Sequence, residues 1–236
     1  MNKTKIEWVR NPDGTQGYTL NPIVGCSRHC SYCYAEQQAK RQRQRCHLCY
    51  AFTPHFHEER LKDLLSWKKP IGVFLCSMGE FFDKYVPFMW QNKILEIVEK
   101  TPHTYYLLTK AIDVLAEWWI KKPTGLNQGP VFPKNVRLGI SIDGTNQTVG
   151  YDTLVQTDAE VKFVSFEPLR GPVKPKLKGI NWVIIGPTST RKGYVQPQKG
   201  WVDTIIKEAR ANQCAIFLKN KLDYPERIQE FPEVRG

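Results

Sequence analysis

The chain has 236 residues, long enough for one sizeable domain, and carries 34 basic against 23 acidic residues for a formal net charge of +11. No stretch approaches the length of a transmembrane helix, no apolar leader follows Met1, and the seven cysteines, odd in number and grouped in motifs, argue against a secreted disulfide framework. The expectation is a soluble cytoplasmic protein without a membrane partner, whose basic excess suits either a polyanion such as nucleic acid or a generally solvated surface. In chain order, a first extended segment leads into Gly25-Cys26. Apolar, β-branched runs then follow at Gly72–Cys76, Thr104–Thr109, Val136–Ile142, Val161–Phe166, Trp182–Gly186 and Ala215–Leu218, and read as buried strands. Between them, Trp90, Ile94, Ile97 and Val98 share one helical face, and Val202, Ile205, Ile206 and Ala209 another, with Asn212 as a helix stop. Segment 145–160 reads as a weaker helix with Gly150 inside it. Trp118 and Trp119 fall in a helical stretch and read as packing residues, and Tyr105-Tyr106 should point to opposite faces of their strand.

Alternating strands and helices imply an α/β fold with a parallel sheet and right-handed crossovers, and the strand number suits a partial or complete (βα) barrel. Residues 1–236 are expected to form a single domain, with an insertion at 40–57 that has metal-binding capacity. In such barrels chemistry gathers at the C-terminal ends of strands. Here those ends carry Ser77–Glu80, Thr109-Lys110, Ser141 to Asp143, Ser165 to Glu167, and Lys219.

Cys26, Cys30 and Cys33 stand in C-x3-C-x2-C spacing, with Tyr32 before the last. Three thiolates can hold three irons of a [4Fe–4S] cube and leave the fourth open, where electron-transfer ferredoxins use four cysteines. An open iron can bind and reduce a small molecule. The alternative for this spacing is a zinc site or unrelated thiols, although zinc usually takes four closed ligands in C-x2-C pairs.

The spacing resembles the radical S-adenosylmethionine (SAM) superfamily. The resemblance sharpens to a phage and bacterial radical-SAM-like family across Ile6-Glu-Trp8, Asn21 to Cys26, Cys33-Tyr-Ala35, His57-Glu-Glu-Arg-Leu61, Trp67-Lys-Lys-Pro70, Ser77-Met-Gly-Glu-Phe-Phe82, Leu108-Thr-Lys110, Leu138-Gly-Ile-Ser141, Ser165 to Val173 and Trp182-Val-Ile-Ile-Gly186. It implies a radical-SAM-type barrel, a [4Fe–4S] cluster on Cys26, Cys30 and Cys33, SAM on the open iron, and an electron donor that reduces the cluster. Reductive SAM cleavage would then modify an unknown substrate, with nucleic acid or a nucleotide favoured by the charge. Ser77, Met78, Gly79 and Glu80 are implied to hold the SAM ammonium, and Ser141 and Asp143 its carboxylate and ribose. Glu167 is open between a substrate acid and a structural carboxylate. After Gly186 the chain departs from the pattern with Pro187 to Thr190, which puts adenine binding by that loop in doubt.

A second pair, Cys46 and Cys49, lies just downstream. With His55 and His57 it could complete a C-x2-C-x5-H-x-H zinc set; an auxiliary iron–sulfur cluster drawing on Cys76 and a pair of free thiols are the alternatives. Cys214 reads as a core residue. Lys40 to Arg45 is the densest basic run, suited to nucleic-acid phosphates or to a solvated helix face. The competing function class is a non-catalytic, iron–sulfur- or zinc-stabilised nucleic-acid-binding protein.

Overall fold

The computed structural model describes residues 1–41, 46–121, 132–145 and 150–233. The fold is mixed α/β with a mostly parallel set of eight sheet strands, and the chain divides into two compact units, Met1–Arg137 and Leu138–Gly236. No ladder among the described residues closes the strands into a barrel.

The first unit contains β1 (Asn2–Lys3), β2 (Tyr18–Leu20), β3 (Ile23–Val24), α1 (Tyr34–Ala39), α2 (His47–Ala51), β4 (His55–Phe56), α3 (Lys62–Ser66), β5 (Gly72–Leu75), α4 (Phe88–Glu99), β6 (Thr104–Thr109) and α5 (Ile112–Lys121). Sheet order here is β1-β2-β5-β6, antiparallel only at β1–β2. β3 and β4 form a separate antiparallel pair. Parallel β5 and β6 need a crossover, which α4 supplies. Every residue of β5 is buried, as expected for a strand covered on both faces. Trp8 explains its own short motif: its ring meets Phe74 and Tyr106 edge-on at 5.3 and 5.7 Å. Both neighbouring tyrosines are buried. Tyr105 shares a 2.6 Å hydrogen bond with the Thr101 hydroxyl, while Tyr106 takes the Arg137 guanidinium at 5.2 Å from its ring. On α4 the fully buried positions are Gln91, Ile94, Leu95 and Val98, so the core-facing stripe is rotated from the one read in the sequence. Trp90 instead stacks on Phe56 of β4 at 5.5 Å. Trp118 is a packing residue, against Phe82 at 5.4 Å.

The second unit holds most of β7 (Val136–Ser141), then α6 (Tyr151–Gln156), β8 (Val161–Phe166), β9 (Trp182–Ile185), the hairpin of β10 (Thr188–Thr190) and β11 (Gly193–Val195), α7 (Lys199–Ala211) and β12 (Ala215–Leu218). Sheet order is β7-β8-β9-β12, with β8–β9 and β9–β12 parallel. α7 buries Val202, Ile205 and Ala209, and Asn212 is its C-cap. Cys214 is 2 % exposed and its thiol donates to the Ile180 carbonyl at 3.1 Å, a core role. The helix expected over 145–160 is shorter than its pattern: α6 is six residues long, Gly150 is its N-cap rather than an interior residue, and 146–149 lie outside the described residues. Gly150 at φ +155° explains the late start, since that backbone cannot continue a helix.

The centre of β9 is closed to water on both faces. Ile184→Ala removes a fully buried branched side chain, and the expected loss is about 2–5 kcal/mol, read as a lower urea midpoint at unchanged slope.

Candidate metal centres

Three half-buried thiols, Cys26, Cys30 and Cys33, occupy the loop between β3 and α1. The Arg28 amide donates to the Cys26 sulfur and the Glu36 amide to the Cys33 sulfur, both at 3.4 Å. Cys33 is thereby the N-cap of α1. Ala35, Ala39 and Phe52 form a small core against which Cys26, Cys33 and Met78 pack. Burial pushes the free Cys26 thiol up to about 12 and raises Cys33, in each case opposed by those amide hydrogen bonds. Amide donors aimed at sulfur, inside an apolar pocket, suit metal-bound thiolates, because they stabilise negative sulfur where water does not. The donor set therefore fits an iron–sulfur cluster.

The structure brings the Ser77–Glu80 turn onto this loop. Gly25 donates to the Met78 carbonyl at 3.0 Å, and the Glu80 amide donates back to the Gly25 carbonyl at 3.1 Å. Asn21 Oδ1 accepts from the Ser77 hydroxyl and the Met78 amide at 3.1 and 2.8 Å, and the Tyr34 hydroxyl donates to the Ser77 carbonyl at 2.7 Å. Glu80 is buried and turned inward. Its Oε1 accepts from Thr109 Oγ1 (2.7 Å) and the Phe82 amide (3.1 Å), and its Oε2 from the Lys110 amide (3.0 Å). Burial raises the Glu80 carboxyl, while these donors and the Lys110 charge oppose the rise. Asp83, also buried, accepts the Ser27 amide at 2.6 Å. Lys110 lies 5.7 Å from the Tyr32 ring centre, and Arg28 bonds Asp113 at 3.2 Å.

Beside the loop, Cys46, Cys49, His55 and His57 present four ligand atoms all within 4.8 Å of one another, a group that could bind a metal ion. Cys49 Sγ stands 3.3 Å from His55 Nε2 and 3.2 Å from His57 Nε2, and Cys46 Sγ is 3.7 Å from His55 Nε2. Each ring is oriented from behind: His55 Nδ1 lies 2.7 Å from the Thr53 carbonyl and His57 Nδ1 2.8 Å from Glu59 Oε1. The Cys49 amide donates to Cys46 Sγ at 3.4 Å, lowering that thiol, whereas burial raises Cys49. Burial also lowers His57, with Glu59 opposing. Cys76 is not part of this group. It is buried, has φ +59°, and burial pushes its thiol up to about 12.

In the second unit, Ser141 donates to the Glu167 carbonyl at 3.2 Å, and Asp143 Oδ1 accepts the Thr145 amide and hydroxyl at 2.9 and 2.7 Å. Glu167 pairs with Lys219 at 3.0 Å, beside Gly186. The basic run is only partly described: Lys40 pairs with Glu36 at 3.0 Å, Arg41 is exposed, and Arg43 and Arg45 lie outside the described residues. Sequence reasoning passed over Asn21, Thr53, Glu59 and Asp83. Asn21 was visible as the first residue of the Asn21 to Cys26 motif, and Glu59 as an acid two residues after a histidine. Thr53 and Asp83 carried no signal.

Glu80→Gln tests the inward role of this carboxylate. An amide nitrogen donates and must face either the Lys110 amide or the Thr109 and Phe82 donors, leaving a buried donor unmatched. The expected loss is about 1–3 kcal/mol in urea unfolding.

No curated protein and no solved structure matches the chain. The family described as "Protein of unknown function (DUF5131)" matches residues 3–230, nearly the whole length, and the chain belongs to that family.

Proposed function

We propose that this chain is a radical SAM enzyme of the barrel-related α/β type, with Cys26, Cys30 and Cys33 as the three protein ligands of a [4Fe–4S] cluster. The observation that carries this reading is the loop itself. Three half-buried thiols stand in it, two of their sulfurs accept backbone amides, and an apolar wall of Ala35, Ala39, Phe52 and Met78 limits water. When bound, the reduced cluster and SAM supply a 5′-deoxyadenosyl radical for hydrogen abstraction, the electron coming from an external donor. The chain's own residues bind, orient and exclude water. Carbonyl oxygens carry two lone pairs, so Ser77 and Met78 can each hold a protein donor and still accept the SAM ammonium. Glu80 keeps that turn in shape from within, through Thr109, Phe82 and Lys110.

Cys30→Ala, reconstituted anaerobically, is expected to lose most iron and sulfide while keeping its fold by circular dichroism. Wild type with dithionite and SAM is expected to yield 5′-deoxyadenosine and methionine, resolved by chromatography. Full iron in the variant sinks the ligand assignment, and no 5′-deoxyadenosine from a loaded wild type favours the non-catalytic reading, to which the separate Cys46, Cys49, His55, His57 group lends its support.

The substrate class follows from charge. With +11 overall and an exposed Arg41 just after α1, a nucleic-acid or nucleotide substrate is favoured. Binding to RNA or DNA should weaken steeply with salt as phosphate contacts release counterions, and replacing Arg41, Arg43 and Arg45 together by Gln should flatten that slope. Absence of binding at low salt would leave a small molecule or peptide as the substrate.

A further inference from the structure

We infer that Cys46, Cys49, His55 and His57 bind a single Zn²⁺ ion in a closed tetrahedral site, and that this ion braces the backbone of the neighbouring Cys26 segment. The site is independent of the reading of the three-cysteine loop as a SAM-binding cluster.

Distance and donor chemistry agree on the metal. With Zn–N about 2.0–2.1 Å and Zn–S about 2.3 Å, tetrahedral ligand atoms stand roughly 3.3–3.8 Å apart. The sulfur–nitrogen separations here are 3.2, 3.3 and 3.7 Å. The two Nε2 atoms stand at 2.8 Å, so the rings need only part slightly to admit the ion. Two thiolates balance the dication and leave a neutral centre, with both thiol protons released to solvent. Both imidazoles are held from behind, His55 by the Thr53 carbonyl and His57 by Glu59, which fixes Nε2 as the metal-facing nitrogen. An auxiliary iron–sulfur cluster would spread its ligands over several irons, whereas these four converge on one point. Four protein ligands leave no open position, so the site is structural rather than catalytic.

The brace follows from what surrounds the ligands. α2 is five residues long and buries none of them, and β4 is two residues long. Elements this short are marginal by their own hydrogen bonds and depend on what they pack against. Yet this segment carries much of the Cys26 support. The Phe52 carbonyl accepts the Cys26 amide at 3.1 Å, the His57 amide donates to Pro22 at 2.7 Å, and β4 pairs Val24 with His55 and Ile23 with Phe56. A metal ion supplies the cross-link that the short segment lacks.

The test uses the full chain. Elemental analysis of the purified Cys30→Ala protein should find about one zinc per chain, since the four-ligand set does not depend on the cluster. Cys49→Ala with His57→Ala should lose that zinc. Where that double variant does not fold, chelator-stripped wild type titrated with Co²⁺ gives a second reading, with the intense visible bands of tetrahedral cobalt thiolate expected. Zinc removal should also speed amide hydrogen exchange in segment 23–27. Weak octahedral cobalt bands, or Cys30→Ala protein holding iron in place of zinc or no metal, would overturn the site. Unchanged exchange in 23–27 on zinc removal would overturn the brace.

Discussion

The cysteine loop depends on a clamp at Gly25. The residue sits at φ +93°, a left-handed backbone that a side chain strains to adopt, and a Cβ there would lie 2.3 Å from the Thr53 carbonyl carbon and oxygen. On its other side Gly25 exchanges two backbone hydrogen bonds with Met78 and Glu80. Gly79 makes the second close approach, since its Cβ would meet the Ile23 carbonyl at 2.7 Å. The Cys26 backbone is thus gripped from both sides before any side chain is considered. That position comes from main-chain geometry, which varies less than a rotamer.

The clamp needs fixed acceptors, and buried carboxylates supply them. Glu80 and Asp83 are 6 % and 2 % exposed, an expensive placement for negative groups without donors. Each is spent on amides and hydroxyls that shape the loop: Thr109, Lys110 and Phe82 for Glu80, Ser27 and Tyr85 for Asp83. Asn21 does the same for the Ser77 turn and, through its carbonyl, receives Arg60 at 2.7 Å. The short motifs scattered along the first unit therefore meet as one hydrogen-bonded scaffold, and several polar strand-end residues act as its struts.

Much of the sheet was legible because its strands are short apolar runs, buried on both faces. β6 and β8 begin and end where the run does, and in β8 the polar Lys162 and Ser165 do not break the buried stripe of Val161, Phe163, Val164 and Phe166. α7 was legible from its stripe and its Asn212 cap. α6 was not, because helical spacing in the pattern carries no penalty for Gly150, whereas the backbone does. At the site, the cysteines announced themselves by spacing, but the direction of Glu80 did not. Sequence places a carboxylate at the end of β5; only the neighbouring amide of Lys110 and hydroxyl of Thr109 turn it inward. Likewise His57 is legible in the sequence as part of the His57-Glu-Glu-Arg-Leu61 motif. Its convergence on Cys49 depends on the β3–β4 pairing, which two-residue strands hardly signal.

The two cysteine groups lie on one loop system yet have opposite coordination logic. Cys46, Cys49, His55 and His57 converge, and a single ion held there would be saturated, with nothing left for a substrate to bind. Cys26, Cys30 and Cys33 are three, and on the proposed reading three thiols would leave one iron of a four-iron cube open. On that reading, inner-sphere chemistry would fall to the three-cysteine group, and the closed group would serve it mechanically. The hydrogen bond from Cys26 to Phe52, one residue beyond α2, is the shortest path for that service. It fixes backbone position, and for a loop proposed to hold a cluster with one coordination site open, position would be the scarcer requirement.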